Sequence, residues 1–294
     1  MSDNKFSWIV TLRQHKISMT LIAGILLIST FILVGLTQQS LVLAVYNIKS
    51  AEIPKQFDGY RIAHISDFHS GLFSGSAADI IELTKEQEPN IICLTADIVD
   101  SKTQDYDTVE QLISGLLVIA PIYAVSGNNE AYDPSIGEKM EELYEKYGVR
   151  SLDGRTAFIY ECDSMLALSG IADQRSSIPE RSSAIAPLER DPDSERFDIM
   201  LSHRANEFGR VAGAGYGLVL SGHLHGGIIR LPLIGGLLSP DGDLLPRFSG
   251  GLYEANGTYL ISNRGIGNNY PIPRIYNPPE IVIVVLRSEE PGHS

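Results

Sequence analysis

The chain has 294 residues, 44% of them hydrophobic, and a formal charge of −13. That length and apolar share suit one large folded domain, or two small ones, with a sizeable core. The acidic balance excludes a nucleic-acid partner, because phosphate backbones recruit basic surfaces. Two cysteines, Cys93 and Cys162, give neither a disulfide framework nor a cysteine-ligated zinc site.

Residues 17–36, ISMTLIAGILLISTFILVGL, carry no charge, and their length matches the hydrocarbon core of a bilayer. Lys5, Arg13 and Lys16 precede the run, and no positive residue follows until Lys49. Positive flanks stay cytoplasmic. The run therefore predicts a cytoplasmic tail (1–16), a transmembrane anchor (17–36) and an extracytoplasmic remainder. A buried core helix and a cleaved signal peptide are the alternatives. The run is long for a signal core, and no small-x-small cleavage site follows it.

After the anchor, residues 37–58 read as a leading strand, LVLAVYNI, followed by a linker, EIPKQFDG. A domain is expected over 59–288, with a short tail at 289–294. Its first half alternates strand and helix. YRIAHIS is a buried strand ending at DFH, and Ser76 with Asp79 forms a capping box for a helix. IICLT ends at ADIVD; Asp107 with Glu110 opens a second helix; PIYAVS ends at GNNE. Asp133 and Pro134 start a third helix, which Gly148 ends. The second half is strand-rich: TAFIY, MLALSG, FDIMLS, GLVLS, GIIRL, TYLIS and IVIVVL. A polar stretch at 173–195 and a Gly/Pro-rich loop at 232–250 interrupt it. The pattern predicts α/β layers built on two packed sheets.

Polar residues gather where the apolar runs stop: Asp67, His69, Asp97, Asn128, His203, His223 and His225. In open α/β sheets the carboxyl ends of strands face the ligand crevice. Of the 7 histidines, His15, His64 and His293 lie elsewhere, and His64, inside a strand, reads as a satisfied core residue. Two carboxylates, four imidazoles and one amide oxygen suit a pair of divalent metals, manganese, iron or zinc. A shared Asp bridges ions roughly 3.5–4 Å apart, which together hold a water as hydroxide near neutral pH.

SDFH (66–69), TADIVD (95–100), SGNNE (126–130), LSH (201–203) and SGHLHGG (221–227) follow one another in the order D-x-H, G-D-x-x-D, G-N-H-E, H, G-H-x-H. The chain resembles the calcineurin-like metallophosphoesterases from about Gly59 to Leu286. The tail, SNRGIGNNYPIPR and then PPEIVIVVL, together with the anchor, is similar to the membrane-anchored bacterial branch of that family. The resemblance implies a four-layer α/β/β/α sandwich. It implies that Asp67, His69 and His225 bind a first metal, that Asn128, His203 and His223 bind a second, and that Asp97 bridges them. Glu130 and Asp100 would hold the loops.

Five positions depart from the family pattern. Ala96 stands where the family usually has Gly, Gly217 where it often has Asp, and Leu224 and Ile228 where it has more polar residues. Asn129 replaces the His that protonates or stabilises the leaving oxygen. An amide donates a hydrogen bond but does not usefully transfer a proton. A lost general acid costs a factor of about 10²–10⁴, roughly 3–5 kcal/mol, and least where the leaving group is a stable anion.

These residues predict a metal-dependent phosphoric ester hydrolase, cleaving a phosphodiester or pyrophosphate on a phosphorylated small molecule or a membrane or envelope lipid. It would be fixed in the bacterial cytoplasmic membrane with its catalytic domain outside. Arg204 is a candidate phosphate contact. Leu237 and Leu238, in the apolar loop LPLIGGLLSP (231–240), are candidate lipid contacts. A catalytically weak metal-binding scaffold, favoured by Asn129, and a nucleotide-glycolipid pyrophosphatase are the alternatives.

Overall fold

The computed structural model describes residues 3–37, 40–73, 75–102, 104–173 and 196–289. Most of the polar stretch expected at 173–195, and the end of the tail, lie outside the described residues. Helix α1 (Asp3–Thr37) contains the apolar run. Its segment Lys16–Gly35 has a mean hydropathy of 2.5 and is long and apolar enough to cross a membrane. Leu21, Ile25, Leu27, Ile28 and Leu33 are all exposed. Near the C-terminal end of the span Phe31 meets Tyr276 and Gly35 is buried, whereas the apolar side chains before them lie open.

The remaining elements build two six-stranded sheets. The first has the order β1 (Val42–Ser50), β14 (Glu280–Ser288), β2 (Arg61–Ile65), β3 (Ile91–Leu94), β4 (Ile122–Ala124), β5 (Arg150–Ser151). The second has the order β12 (Gly251–Ala255), β13 (Thr258–Ser262), β9 (Leu218–Gly222), β8 (Asp198–Arg204), β7 (Ser164–Ile171), β6 (Thr156–Glu161). Strand β14 reads as an unbroken apolar run because both its faces are covered. It pairs parallel with β1, Val42 opposite Glu280, and antiparallel with β2, Val282 opposite His64.

Three apolar layers glue four structural ones. Helices α2 (Ala77–Lys85), α3 (Tyr106–Leu117) and α5 (Pro134–Tyr147) press Ile80, Leu112, Ile113, Met140 and Leu143 onto one face of the first sheet. The other face, with Ile62, Cys93, Val282 and Val284, packs on Leu168, Ile199, Leu201 and Leu220 of the second sheet. Each such fully buried aliphatic side chain contributes about 1.5–3 kcal/mol of transfer free energy. Beyond the second sheet, Phe208 and Val211 of a short helix, α6 (Phe208–Val211), cover Met200, Val219 and Leu260. The order α/β/β/α is the one expected.

Local signals behave as the sequence predicts at α2, where Ser76 and Asp79 close the capping box, and at α5, where Gly148 ends the helix at φ 74. Three expectations change. The N-cap of α3 is Asp105, whose side chain accepts from Thr108 N–H, rather than Asp107. Segment 51–58 is no free linker, because Ile53 and Phe57 are buried between the sheets. In GIIRL only β10 (Arg230–Leu231) is strand, paired with β11 (Gly235–Gly236), whereas GLYEA forms β12 without having been foreseen. Buried His64 is half-satisfied: Nε2 is 2.7 Å from Thr95 Oγ1, and Nδ1 has no partner.

Candidate metal centre

The seven expected ligands come from five strand ends. Asp67 and His69 follow β2, Asp97 follows β3, and Asn128 begins α4 (Asn128–Tyr132) after β4. His203 lies near the end of β8, and His223 and His225 follow β9. The chain must leave each strand abruptly to aim these side chains inward. Asp67, His69, Asp97, His223 and His225 accordingly have φ values of 52, 50, 49, 74 and 46°. Non-glycine residues held there store strain, and such strain concentrates at functional sites. Ala96, at φ 78°, explains why Gly suits its position: its methyl is tolerated but sits in the left-handed region.

Two pockets of ligand atoms result. In the first, His69 Nε2 and His225 Nε2 face each other at 3.0 Å, with Asp67 Oδ1 3.5 Å from His225 Nε2. In the second, His203 Nε2 lies 3.1 Å from Asn128 Oδ1, 3.2 Å from His223 Nδ1 and 3.4 Å from Asp97 Oδ2. Asp67 also approaches the second group, so the pockets adjoin. Imidazole nitrogens that face each other inside a buried pocket fit a cation between them better than each other. The donor set of carboxylate, imidazole and amide oxygen suits manganese, iron or zinc.

Electrostatics agree with ligand duty. Burial pushes His69 and His225 below their ordinary range, so both rings are neutral lone-pair donors. Burial works against charge on Asp97 and His203 too, but each is held charged by the other. Asp97 stays far below the usual carboxylate range, and His203 is raised to about 10.

Neighbouring groups fix how the ligands point. His203 Nδ1–H donates to Thr95 O at 2.9 Å, which leaves Nε2 bare towards the pocket. His223 Nε2 lies 2.9 Å from Asp241 Oδ2 and 2.8 Å from Arg204 Nη1. A guanidinium only donates and a carboxylate only accepts, so Nε2 serves one of them at a time. With Nδ1 turned to the pocket, Nε2 carries the hydrogen and donates to Asp241. Asp241→Asn is therefore expected to weaken metal binding by roughly 10–100-fold, read as the Mn²⁺ midpoint in a thermal-shift titration; an unchanged midpoint would contradict this role.

Glu130 ties the loops together. Its Oε2 accepts Asp97 N–H at 3.1 Å and Gly127 N–H at 2.9 Å, and its Oε1 accepts Ile98 N–H at 2.8 Å. Burial and then Asp97 push its carboxyl up to about 7. Asp67 is seated by Ser66 Oγ–H at 2.6 Å and by His223 N–H at 3.1 Å. Behind it runs the tail motif. Ile266 and Gly267 N–H donate to Ser66 O and Asp67 O, and a Cβ on Gly265 would meet Asp67 Cβ at 2.6 Å. Close approach and a left-handed backbone, φ 71°, both demand that glycine. Fully buried Arg274 donates to Arg264 O and Gly267 O and reaches His225 Nδ1 at 3.2 Å.

The remaining sequence candidates are placed as follows. Asn129 is buried; its Nδ2 lies 3.0 Å from His69 Nδ1 and donates to Val99 O at 3.3 Å. Arg204 sits at the rim of the second pocket, held by Asp173 at 2.7 Å. Leu237 and Leu238 are half-buried, with both N–H groups bonded to Gly227 O. Gly217 has no room for a side chain, because Phe197 fills the space. Leu224 and Ile228 are fully buried. Asp241, Asp173 and Arg274 escaped sequence reasoning. For Asp241 and Arg274 the one signal was a charged residue inside a Gly/Pro-rich loop, and Asp173 at the head of a polar stretch had none.

A metallophosphoesterase of Aquifex aeolicus is 28% identical over 249 residues, spanning 83% of this chain and 91% of the relative. The metallophosphoesterase YkuE of Bacillus subtilis is 27% identical over 250 residues, 83% and 84% of the two chains. The phosphodiesterase YaeI of Escherichia coli is 25% identical over 237 residues, 77% and 82% of the two chains. Residues 60–227, which hold all seven ligand positions, match the calcineurin-like phosphoesterase family. The strained strand ends, the two facing pockets and this match converge: the chain belongs to the calcineurin-like phosphoesterases and is a metal-dependent phosphoester hydrolase.

Proposed function

We propose that the protein is a membrane-anchored dimetal phosphoesterase that cleaves phosphodiester or pyrophosphate bonds in a membrane or envelope lipid. The reading is carried by one observation: two adjoining ligand pockets beside Asn129, where the family has a proton donor. Asp67, His69 and His225 would hold one divalent ion, Asn128, His203 and His223 the other, and Asp97 both. Two such ions supply Lewis acidity and an activated water.

The chain's own residues do the rest. Thr95 and Asp241 orient the imidazoles of the second pocket. Arg204, braced by Asp173, offers positive charge at the rim to a non-bridging phosphate oxygen. Asn129 keeps its amide on His69 and Val99 and transfers no proton, so the departing oxygen must be stable as an anion. A phosphate or an acidic alcohol meets that demand, and an alkoxide does not. The relationship to YaeI, a phosphodiesterase, supports the diester. The apolar helix α1 supports a substrate drawn from a membrane, with Leu237 and Leu238 as candidate contacts to its apolar part.

A substrate panel with Mn²⁺ tests the bond type. Turnover of aryl diesters and pyrophosphates is expected to exceed that of alkyl monoesters by at least about 10²-fold. A preference for alkyl monoesters would overturn the reading. Asn129 also favours a weak metal-binding scaffold, which would show no turnover as wild type but turnover as Asn129→His.

A further inference from the structure

The loops on either side of β11 put four large apolar side chains into the open. Leu233 is 108% exposed, Ile234 62%, Leu244 75% and Leu245 56%. Leu233 and Leu245 also adopt left-handed backbone, φ 67° and 53°. Turn tips that face water take Gly, Asn or Asp there, because a bulky side chain is strained in that region. The four residues belong to one substructure: Leu245 N–H donates to Leu237 O, Leu238 pairs with Leu244, and Leu237 N–H donates to Ile229 O.

That substructure lies beside the exit of α1. Arg230 N–H donates to Ile275 O at 2.9 Å. The next residue, Tyr276, stacks its ring 4.5 Å from that of Phe31 and donates its N–H to Gly35 O at 3.4 Å. Phe31 and Gly35 belong to the last turns of the apolar span. Leu233 is three residues from Arg230, so it lies within roughly 10 Å of that contact. Sheet register gives the same orientation independently. Strand β1 starts opposite Glu280 at the start of β14, and β14 runs antiparallel to β2, whose end carries Asp67. The chain therefore leaves α1 at the end of the first sheet that holds the ligands. A tyrosine at that depth is a common interfacial anchor.

We propose that Leu233, Ile234, Leu244 and Leu245 form a second membrane contact, inserting into the leaflet from which α1 emerges and holding the metal centre at the bilayer surface. The proposal rests on α1 being a retained anchor. The partner is the apolar part of the leaflet rather than an anionic headgroup, because Arg230 and Arg247 are balanced by Asp241 and Asp243 within the same stretch. Asp241, which bonds His223, sits in the turn between Ser239 and Asp243, directly before Leu244 and Leu245. The insertion and the second ligand pocket thus share one short loop.

The full chain with Cys162→Ser is the background, since Cys93 is buried. Leu233→Cys and Leu245→Cys are each labelled with a nitrobenzoxadiazole dye and reconstituted in phosphatidylcholine nanodiscs, with or without nitroxide-bearing lipid. Val118→Cys is the control: Val118 is 88% exposed and lies between α3 and the start of β4, at the opposite end of the sheet. Dyes at 233 and 245 are expected to be quenched at least twofold more than the dye at 118. Equal quenching would overturn the proposal. Blue-shifted but unquenched dyes would mean that protein, such as a second copy of the chain, covers the face, and would overturn it too. A carbonate wash separates the premises: release of the wild-type chain from native membranes removes the anchor, whereas a retained chain with unquenched dyes removes only the insertion.

Discussion

Asp97→Asn is expected to reduce phosphodiester turnover by about three orders of magnitude or more, the several kcal/mol that metal-centred charge stabilisation supplies at 1.36 kcal/mol per decade. Asp97 lies 3.4 Å from His203 Nε2 of the second pocket, and its charge is felt by His69 of the first. Asparagine keeps the size and the acceptor oxygen that bonds Asn129 N–H at 3.0 Å. It removes the charge that two cations would share. Metal content per chain, measured by plasma mass spectrometry beside turnover, should fall with activity, while the helical circular-dichroism signal stays. Wild-type turnover with full metal content in this variant would show that Asp97 does not bridge.

Asn129→His is expected to close the gap between good and poor leaving groups. If the missing proton donor sets the substrate, the variant should raise the ratio of alkyl to aryl ester turnover by about 10²–10⁴. Position 129 also packs on His69 and Val99, so a change there disturbs more than proton transfer. Asn129→Ala separates the two effects: it loses the packing but gains no acid, so both substrates should slow together and the ratio should hold. An unchanged ratio in Asn129→His would mean that leaving-group departure does not limit this site.

The candidate ligand set was legible in the sequence because its seven residues cluster where five apolar runs end. A strand that is buried on both faces announces itself by composition, and the residues just beyond it face the crevice by geometry. The same logic made the capping box at Ser76, the stop at Gly148 and the apolar span of α1 readable, because each depends on neighbours within one turn or one run. The N-cap of α3 was displaced by two residues because Asp105 and Asp107 offer the same chemistry, and only backbone geometry selects between them. Strand β12 was missed because its alternation is short and its faces are half-exposed.

Sequence by itself determined which residues are candidate ligands, which run is long and apolar enough to cross a membrane and which position departs from the family's histidine. Tertiary structure alone decided what surrounds them. Asp241 reaches His223 across 18 positions, Arg274 reaches His225 across 49, and Glu130 reaches Ile98 across 32. No local periodicity encodes such contacts, because they follow from how loops of separate strands meet. The apolar loop makes the same point. Leu237 and Leu238 are half-buried and bonded through their backbones, while Leu233, Ile234, Leu244 and Leu245 point into the open. In an irregular segment, side-chain direction is set residue by residue by backbone angles and packing, so composition reveals that the loop is apolar but only the fold reveals which of its leucines are free to meet a membrane.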